Sequence, residues 1–207
     1  MSAESRTGER PRAGTKGMAR EERERLIVEV ATRQFVTVGP SAASLTAIAR
    51  DAGVSKAMIY AYFSGRDELL IACLNCAGDN LTRAVGDAQQ TVHPPGDQAL
   101  RTLVALVRAM ENHRYDWDLL HLTGLPEGAP QDTALGYRKV LNQYGFEGIA
   151  GAFASGGDFD GTDAALTMAI WSSVLSGVTG WWRRHPEVGV VDISERLTGI
   201  IGAIRRM

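Results

Sequence analysis

LTAIARDAGVSKAMIYAYF, residues 45–63, is the stretch that decides the fold of this 207-residue chain. It reads as two short helices joined by a tight turn. The first, over residues 44–52, sets Leu45, Ile48 and Ala49 on one face at helical spacing. Gly53 stands where a helix stop needs a residue tolerant of positive φ. Val54 is an apolar plug under the turn, and the Ser55 hydroxyl can accept a free N–H of the next helix. That second helix, over residues 56–63, buries Ile59 and Phe63 and shows Lys56, Met58, Tyr60 and Tyr62 elsewhere. The small Ala49 permits a close crossing. This is the sequence form of a helix-turn-helix, whose second helix lies in the major groove of DNA. By spacing alone, an ordinary αα-hairpin with a Gly turn fits as well.

The flanks extend this unit. Residues 21–38 form an amphipathic helix with Ile27, Val30, Ala31, Gln34, Phe35 and Val38 on one stripe. Glu21, Glu22 and Glu24 sit in its first turn, where negative charge suits the helix dipole. Gly39-Pro40 ends it. Residues 1–20, with Arg6, Arg10, Arg12, Lys16 and Arg20, lack apolar periodicity and read as a disordered basic arm, either a solvated tail or a reach toward DNA. Downstream, Ser64 and Asp67 form an S-x-x-D pattern, close to a capping box, before a long helix over residues 65–88.

VSKAMIYAYFSGRDELL, residues 54–70, resembles the recognition-helix signature of the tetracycline-repressor (TetR) family, roughly V-S-K-G-T-L-Y-R-H-F-x-S-K-E-E-L. Val54, Ser55, Lys56, Tyr60, Phe63, Glu68 and Leu69 match as they stand, and Phe35, Gly39, Thr46, Ile48, Ala49, Ala52 and Gly53 match upstream. Ala57, Met58, Ala61 and Tyr62 depart from it at groove-side positions that select bases. The resemblance implies an all-α fold of about nine or ten helices. It implies a helix-turn-helix head over residues 21–66 and a ligand-binding and dimerisation body over 67–207. It further implies a homodimer on a palindromic operator, a small-molecule effector and, by family default, repression. Lys56, Tyr60 and Tyr62 are then expected at phosphates or the groove edge, Thr46 and Arg66 at the DNA backbone, and Ala57 and Met58 at thymine methyls, with Ser55 beside them. In the body, Trp117, Tyr144 and Trp171 are the pocket candidates, with His113 and His121 as polar anchors; plain core packing is the competing role for each.

Charge supports the same division. Residues 1–66 hold 11 Lys and Arg against 7 Asp and Glu, whereas residues 67–207 hold 11 against 17. A basic head on an acidic body suits DNA binding at one end. Cys73 and Cys76 are the only cysteines, spaced C-x-x-C. A redox pair would need a βα context and a zinc site two further ligands, so two small buried helix residues is the plainer reading. No secretory signal is evident, and two thiols without a disulfide framework fit a reducing cytoplasm. No phosphate loop, nucleophile elbow or H-E-x-x-H motif is present, so no enzyme, cofactor or metal is expected.

The rest of the body reads as helices over residues 98–112, 113–123, 132–155, 162–184 and 193–206, broken at His93-Pro94-Pro95-Gly96, at 124–130 and at Gly156-Gly157-Asp158; Asp97 can cap the first of them. Residues 164–182 carry no charge, yet Ser, Thr and Gly make them too polar for a membrane span, so a buried helix is expected. Within it Ala169, Ser173, Gly177 and Gly180 form a small-residue stripe beside Ile170, Val174, Val178 and Trp181. A small stripe admits another helix closely. By resemblance the last two helices pair across a two-fold axis; packing inside one subunit is the alternative. Two other readings stand beside the ligand-responsive repressor. One is a DNA-binding regulator whose body docks a protein and takes no ligand. The other is a helical enzyme or structural protein with an incidental αα-hairpin.

Overall fold

A computed structural model describes residues 17–90, 98–153 and 160–204. Most of the expected basic arm, the break at 93–97 with its Asp97 cap, and the Gly156-Gly157-Asp158 stop lie outside the described residues. Nine helices and no strands occur among the described residues, so the fold is all-α. They are α1 (Arg20–Val38), α2 (Leu45–Asp51), α3 (Lys56–Tyr62), α4 (Arg66–Gln89), α5 (Gln98–Ala109), α6 (Asp116–Leu120), α7 (Ala129–Phe153), α8 (Gly161–Arg184) and α9 (Val190–Ile204).

The head is α1 to α3. Ile27, Val30, Ala31 and Phe35 of α1 are buried as their spacing predicts, joined by Val28 and Thr32. Val38, expected on the same stripe, is exposed, because α1 ends there and Gly39 (φ +85°) turns the chain away. The other head members, Ile48, Ala49, Ala52, Ile59 and Phe63, close one apolar core with α1. Gly53 adopts φ +66°, and Val54 N–H returns to the Ala49 carbonyl at 2.9 Å, which holds the turn tight.

The start of α4 differs from the expected S-x-x-D cap. Gly65 is the residue that caps it, without a side-chain bond, and the Ser64 N–H donates to Glu68 Oε2 at 2.6 Å. A glutamate one residue later than Asp67 can bend back over the turn and reach that N–H. Along α4, Leu69, Leu70, Cys73, Leu74, Ala77, Gly78, Leu81 and Val85 are buried. This helix packs against α1 of the head and against α5, α6 and α7 of the body. Only one of the two cysteines follows expectation. Cys73 is buried beside the Val28 carbonyl, and burial pushes its thiol up to about 12, so it is inert. Cys76 is exposed: three residues on, it lies roughly 60° round α4 from Cys73, at the edge of the buried stripe rather than within it.

Three body helices also depart from the sequence pattern. α6 is five residues long rather than the whole of 113–123, since the chain turns at His121 and again at Gly124 (φ +73°). α7 begins at Ala129 and takes Pro130 into its first turn, where a missing N–H costs nothing. α8, expected to be buried, buries only Leu175, Thr179 and Trp182, and presents its other side outward. Its start is a reciprocal box: Asp160 Oδ1 accepts Thr162 N–H and Asp163 N–H, and Asp163 Oδ2 accepts Asp160 N–H. No described helix is long and apolar enough to cross a membrane.

The crossing of α4 and α7 turns on one glycine. The Tyr137 ring rests directly on Gly78, in the space a Cβ would need, and its hydroxyl donates to Asp79 Oδ1 at 2.7 Å. Gly78→Ala forces that ring off the helix and breaks the bond. A stability loss of about 1–3 kcal/mol is expected, read as a lower urea midpoint with an unchanged slope.

Candidate nucleic-acid interface and effector site

The helix-turn-helix carries its polar groups on the side opposite its core. Ser55 Oγ accepts the Met58 N–H at 3.0 Å and caps α3, which fixes the direction of that helix. Thr46, Lys56, Ala57 and Tyr60 are exposed, and Met58 is half-buried. Lys56 Nζ lies 5.9 Å from the centre of the Tyr60 ring, within reach of a cation–π contact. Tyr60 is 49% exposed, so a hydroxyl and a ring face are both presented.

Two expected contact residues have structural work of their own. Tyr62 is half-buried, and its hydroxyl accepts from Arg23 Nη1 at 3.1 Å while the Arg20 guanidinium lies over its ring at 5.3 Å. Arg23 thereby ties α1 to the end of α3. Nothing local in the sequence points to this pair, which is 39 residues apart. Arg66 Nη1 donates to the Ser41 carbonyl at 2.8 Å, bracing the loop before α2. The rest of its guanidinium faces outward beside the first turn of α4, where an anion is favoured.

In the body the five candidate pocket residues do not form one lining. Trp117 is buried, donates Nε1–H to Ser176 Oγ at 3.1 Å and stacks on the His121 ring at 4.0 Å. His121 Nδ1 pairs with the Trp117 carbonyl at 2.8 Å, and burial pushes the imidazole pKa down. The nearby positive charge of Arg138 pushes it the same way, and Arg138 Nε is buried without a hydrogen-bond partner. Arg138 is a polar group that the sequence pattern, read as an α7 stripe, did not single out. Trp171 packs beside Met168 against Gly145 at the α7–α8 crossing. Tyr144 lines an open cleft of about 430 Å³ between α4 and α7, and His113 is exposed outside α6. Among the described residues no group of three or more His, Cys, Asp or Glu is placed to hold a metal ion.

The outward side of α8 is apolar and uncharged. Leu166 (61% exposed), Ile170 (57%), Val174 and Trp181 stand on it with Ala169, Ser173 and Gly177, while Gly180 is half-buried. The small stripe expected from sequence therefore faces out of this subunit over most of its length.

Residues 27–73 match the model of the bacterial regulatory proteins of the tetR family. The chain belongs to the TetR family. Among its relatives is the HTH-type transcriptional regulator Rv1816 of Mycobacterium tuberculosis, 33% identical over 150 residues, which are 70% of this chain and 63% of that protein. The chain thus spans less than two thirds of that relative's length. A TetR-family regulator from Bordetella parapertussis shares the fold with a TM-score of 0.70 at 21% identity, covering 84% of this chain and 91% of that one. AibR, solved with isovaleryl coenzyme A and operator DNA, shares it with a TM-score of 0.67 at 19% identity, covering 86% and 97%. The relatives are transcriptional regulators, not enzymes.

In this TetR-family chain one buried carboxylate stands at the junction of head and body. Asp116 is 4% exposed where α6 meets α4, and its Oδ2 accepts from Asn80 Nδ2 at 2.8 Å. Burial pushes its pKa up to about 6, against the Asn80 bond and the His113 charge, which lower it. The folded state therefore holds this proton more tightly than the unfolded chain. Its contribution is full below the ordinary value of 3.8 and is lost as pH rises through about 6. Asp116→Asn should raise stability at pH 7.5 by about 1–2 kcal/mol. The gain should shrink toward zero as urea unfolding is repeated down to pH 4. A difference independent of pH would place the effect elsewhere.

Proposed function

We propose that this chain is a DNA-binding transcriptional regulator that acts as a homodimer in the cytoplasm. Residues 21–66 are its DNA-binding head, residues 67–207 its ligand-binding and dimerisation body, and residues 1–20 an accessory basic arm. The observation that carries this reading is the capped α3. It presents Lys56, Ala57 and Tyr60 outward from a core that matches the family's DNA-binding model. Lys56, Tyr60 and Thr46 hold phosphates, Tyr62 and Arg66 steady the flanking backbone, and Ser55, Ala57 and Met58 meet base edges. The operator is palindromic, with half-sites about one helical turn apart. Repression is the default sign, relieved when an effector shifts the body and with it α4.

A fold neighbour solved with both a coenzyme A ester and operator DNA supports an effector-responsive body. Here the effector is an apolar or aromatic molecule held near Trp117 and His121, with the unpartnered Arg138 Nε as a hydrogen-bond donor to it. Trp171, Tyr144 and His113 stand in other surroundings and are not part of that region. The test of DNA binding is a gel-shift titration on the DNA upstream of the chain's own coding region, at several salt concentrations. Lys56→Ala should weaken binding about tenfold and reduce the slope of log K against log salt by about 1. A binding curve that Lys56→Ala leaves unchanged would remove α3 from the interface.

The homodimer rests on the outward apolar side of α8, which is larger than single scattered residues on a monomer surface. Ala169, Ser173, Gly177 and Gly180 let the partner helix approach, and Ile170 and Val174 supply the buried area. Val174→Glu should convert a dimer into a monomer in sedimentation and cost at least tenfold in operator affinity. The same exposed side favours a second reading, in which a different protein docks there. A wild-type chain that sediments as a monomer would favour that reading over the homodimer.

A further inference from the structure

A second cavity has no part in the function proposed above. It is a groove of about 740 Å³ between α4 and α5, with Thr198 of α9 at one end. Its volume falls within the ~300–1,000 Å³ usual for small-molecule sites. Ala84, Leu100 and Val104 give it half-buried apolar walls. Arg83, Arg101 and Arg108 stand on its rim. Arg101 and Arg108 are two turns apart on α5 and so share one side of that helix, while Arg83 comes from α4. Asp87 is the one acid in the lining. None of the three guanidinium groups makes a hydrogen bond, ion pair or ring contact among the described residues, Asp87 included.

That grouping runs against the composition of the body, in which acids outnumber Lys and Arg by 17 to 11. Three of those eleven cations meet at one groove with a single acid between them. Guanidinium groups match phosphate oxygens with paired N–H donors, which gives geometry as well as charge. Apolar walls below them offer the surface for a hydrocarbon chain.

We propose that the α4–α5 groove binds a small amphipathic phosphate: an apolar chain seated along Ala84, Leu100 and Val104, with its phosphate held by Arg83, Arg101 and Arg108. The site is separate from the Trp117–His121 region and from the helix-turn-helix, and its test needs no DNA. A failure of operator binding therefore leaves it untouched, and the reverse also holds.

The test is calorimetric titration of the full chain with octyl phosphate, octanol and inorganic phosphate. Octyl phosphate should bind at least about tenfold more tightly than either half alone. The charge-reversed double variant Arg101→Glu/Arg108→Glu should lose about tenfold or more, while Arg33→Glu, an exposed cation of α1, should bind as the wild type does. Should the double variant melt early, Arg83→Ala alone should still weaken octyl phosphate about three- to tenfold. Sedimentation with phosphatidylglycerol vesicles separates a soluble ligand from a lipid headgroup: no co-sedimentation is expected from a recessed groove on an acidic body. Equal binding of octanol, an unchanged double variant, an equal loss in Arg33→Glu, or capture by vesicles without binding of octyl phosphate would each overturn the proposal.

Discussion

The packing of α4 against two bodies at once is the constraint from which the rest of this molecule follows. Within eight residues of that helix, Cys73 meets the Val28 carbonyl of α1, Gly78 carries the Tyr137 ring of α7, and Asn80 bonds both the Ala109 carbonyl and Asp116. Leu69, Leu70, Leu74 and Leu81 fill the spaces between these contacts, each fully buried. Burial of such a side chain contributes roughly 1.5–3 kcal/mol, so the helix is held over its length rather than at one point. A rigid helix shared by head and body transmits a displacement of either to the other. The site of the closest contact, Gly78 under Tyr137, leaves no slack through which such a displacement would be absorbed.

Electrostatics divides the molecule differently from packing. The head carries an excess of cations, and the body an excess of acids. Several head cations are used internally: Arg23 and Arg20 hold Tyr62, and Arg66 holds the Ser41 carbonyl. Lys56 is the exposed cation of α3, and its position over Tyr60 keeps it on the outward side. In the body, Arg183 pairs with Asp118 at 2.7 Å and Arg114 lies over the Trp182 ring at 4.4 Å. Set beside these committed arginines, the trio of the α4–α5 groove is charge placed without a partner among the described residues.

α8 shows how one helix can meet two demands. Its sequence is apolar nearly all round, and a helix of that kind must be covered on every side. Leu175, Thr179 and Trp182 face the subunit's own core, where the Trp182 Nε1–H donates to the Val188 carbonyl at 2.8 Å. The opposite side, with Leu166, Ile170 and Val174, has no cover among the described residues. The small residues among these large ones set how near a covering helix can come.

Local chemistry alone determined the head. Helical spacing, a glycine at positive φ and a serine cap act over a few residues, so α1, α2, α3 and the turn at Gly53 could be read directly, as could the long α4. The tertiary structure decided whatever depends on residues far apart in the chain. Tyr62 read as a groove-facing aromatic until Arg23, 39 residues away, was brought to its hydroxyl. Trp117, Tyr144 and Trp171 read as one aromatic group, but three crossings place them in different surroundings. The uncharged run of α8 read as buried, because periodicity reports that a surface is apolar and not which chain covers it. The arginines of the α4–α5 groove carried no signal at all, since charges on two helices become neighbours only when those helices pack.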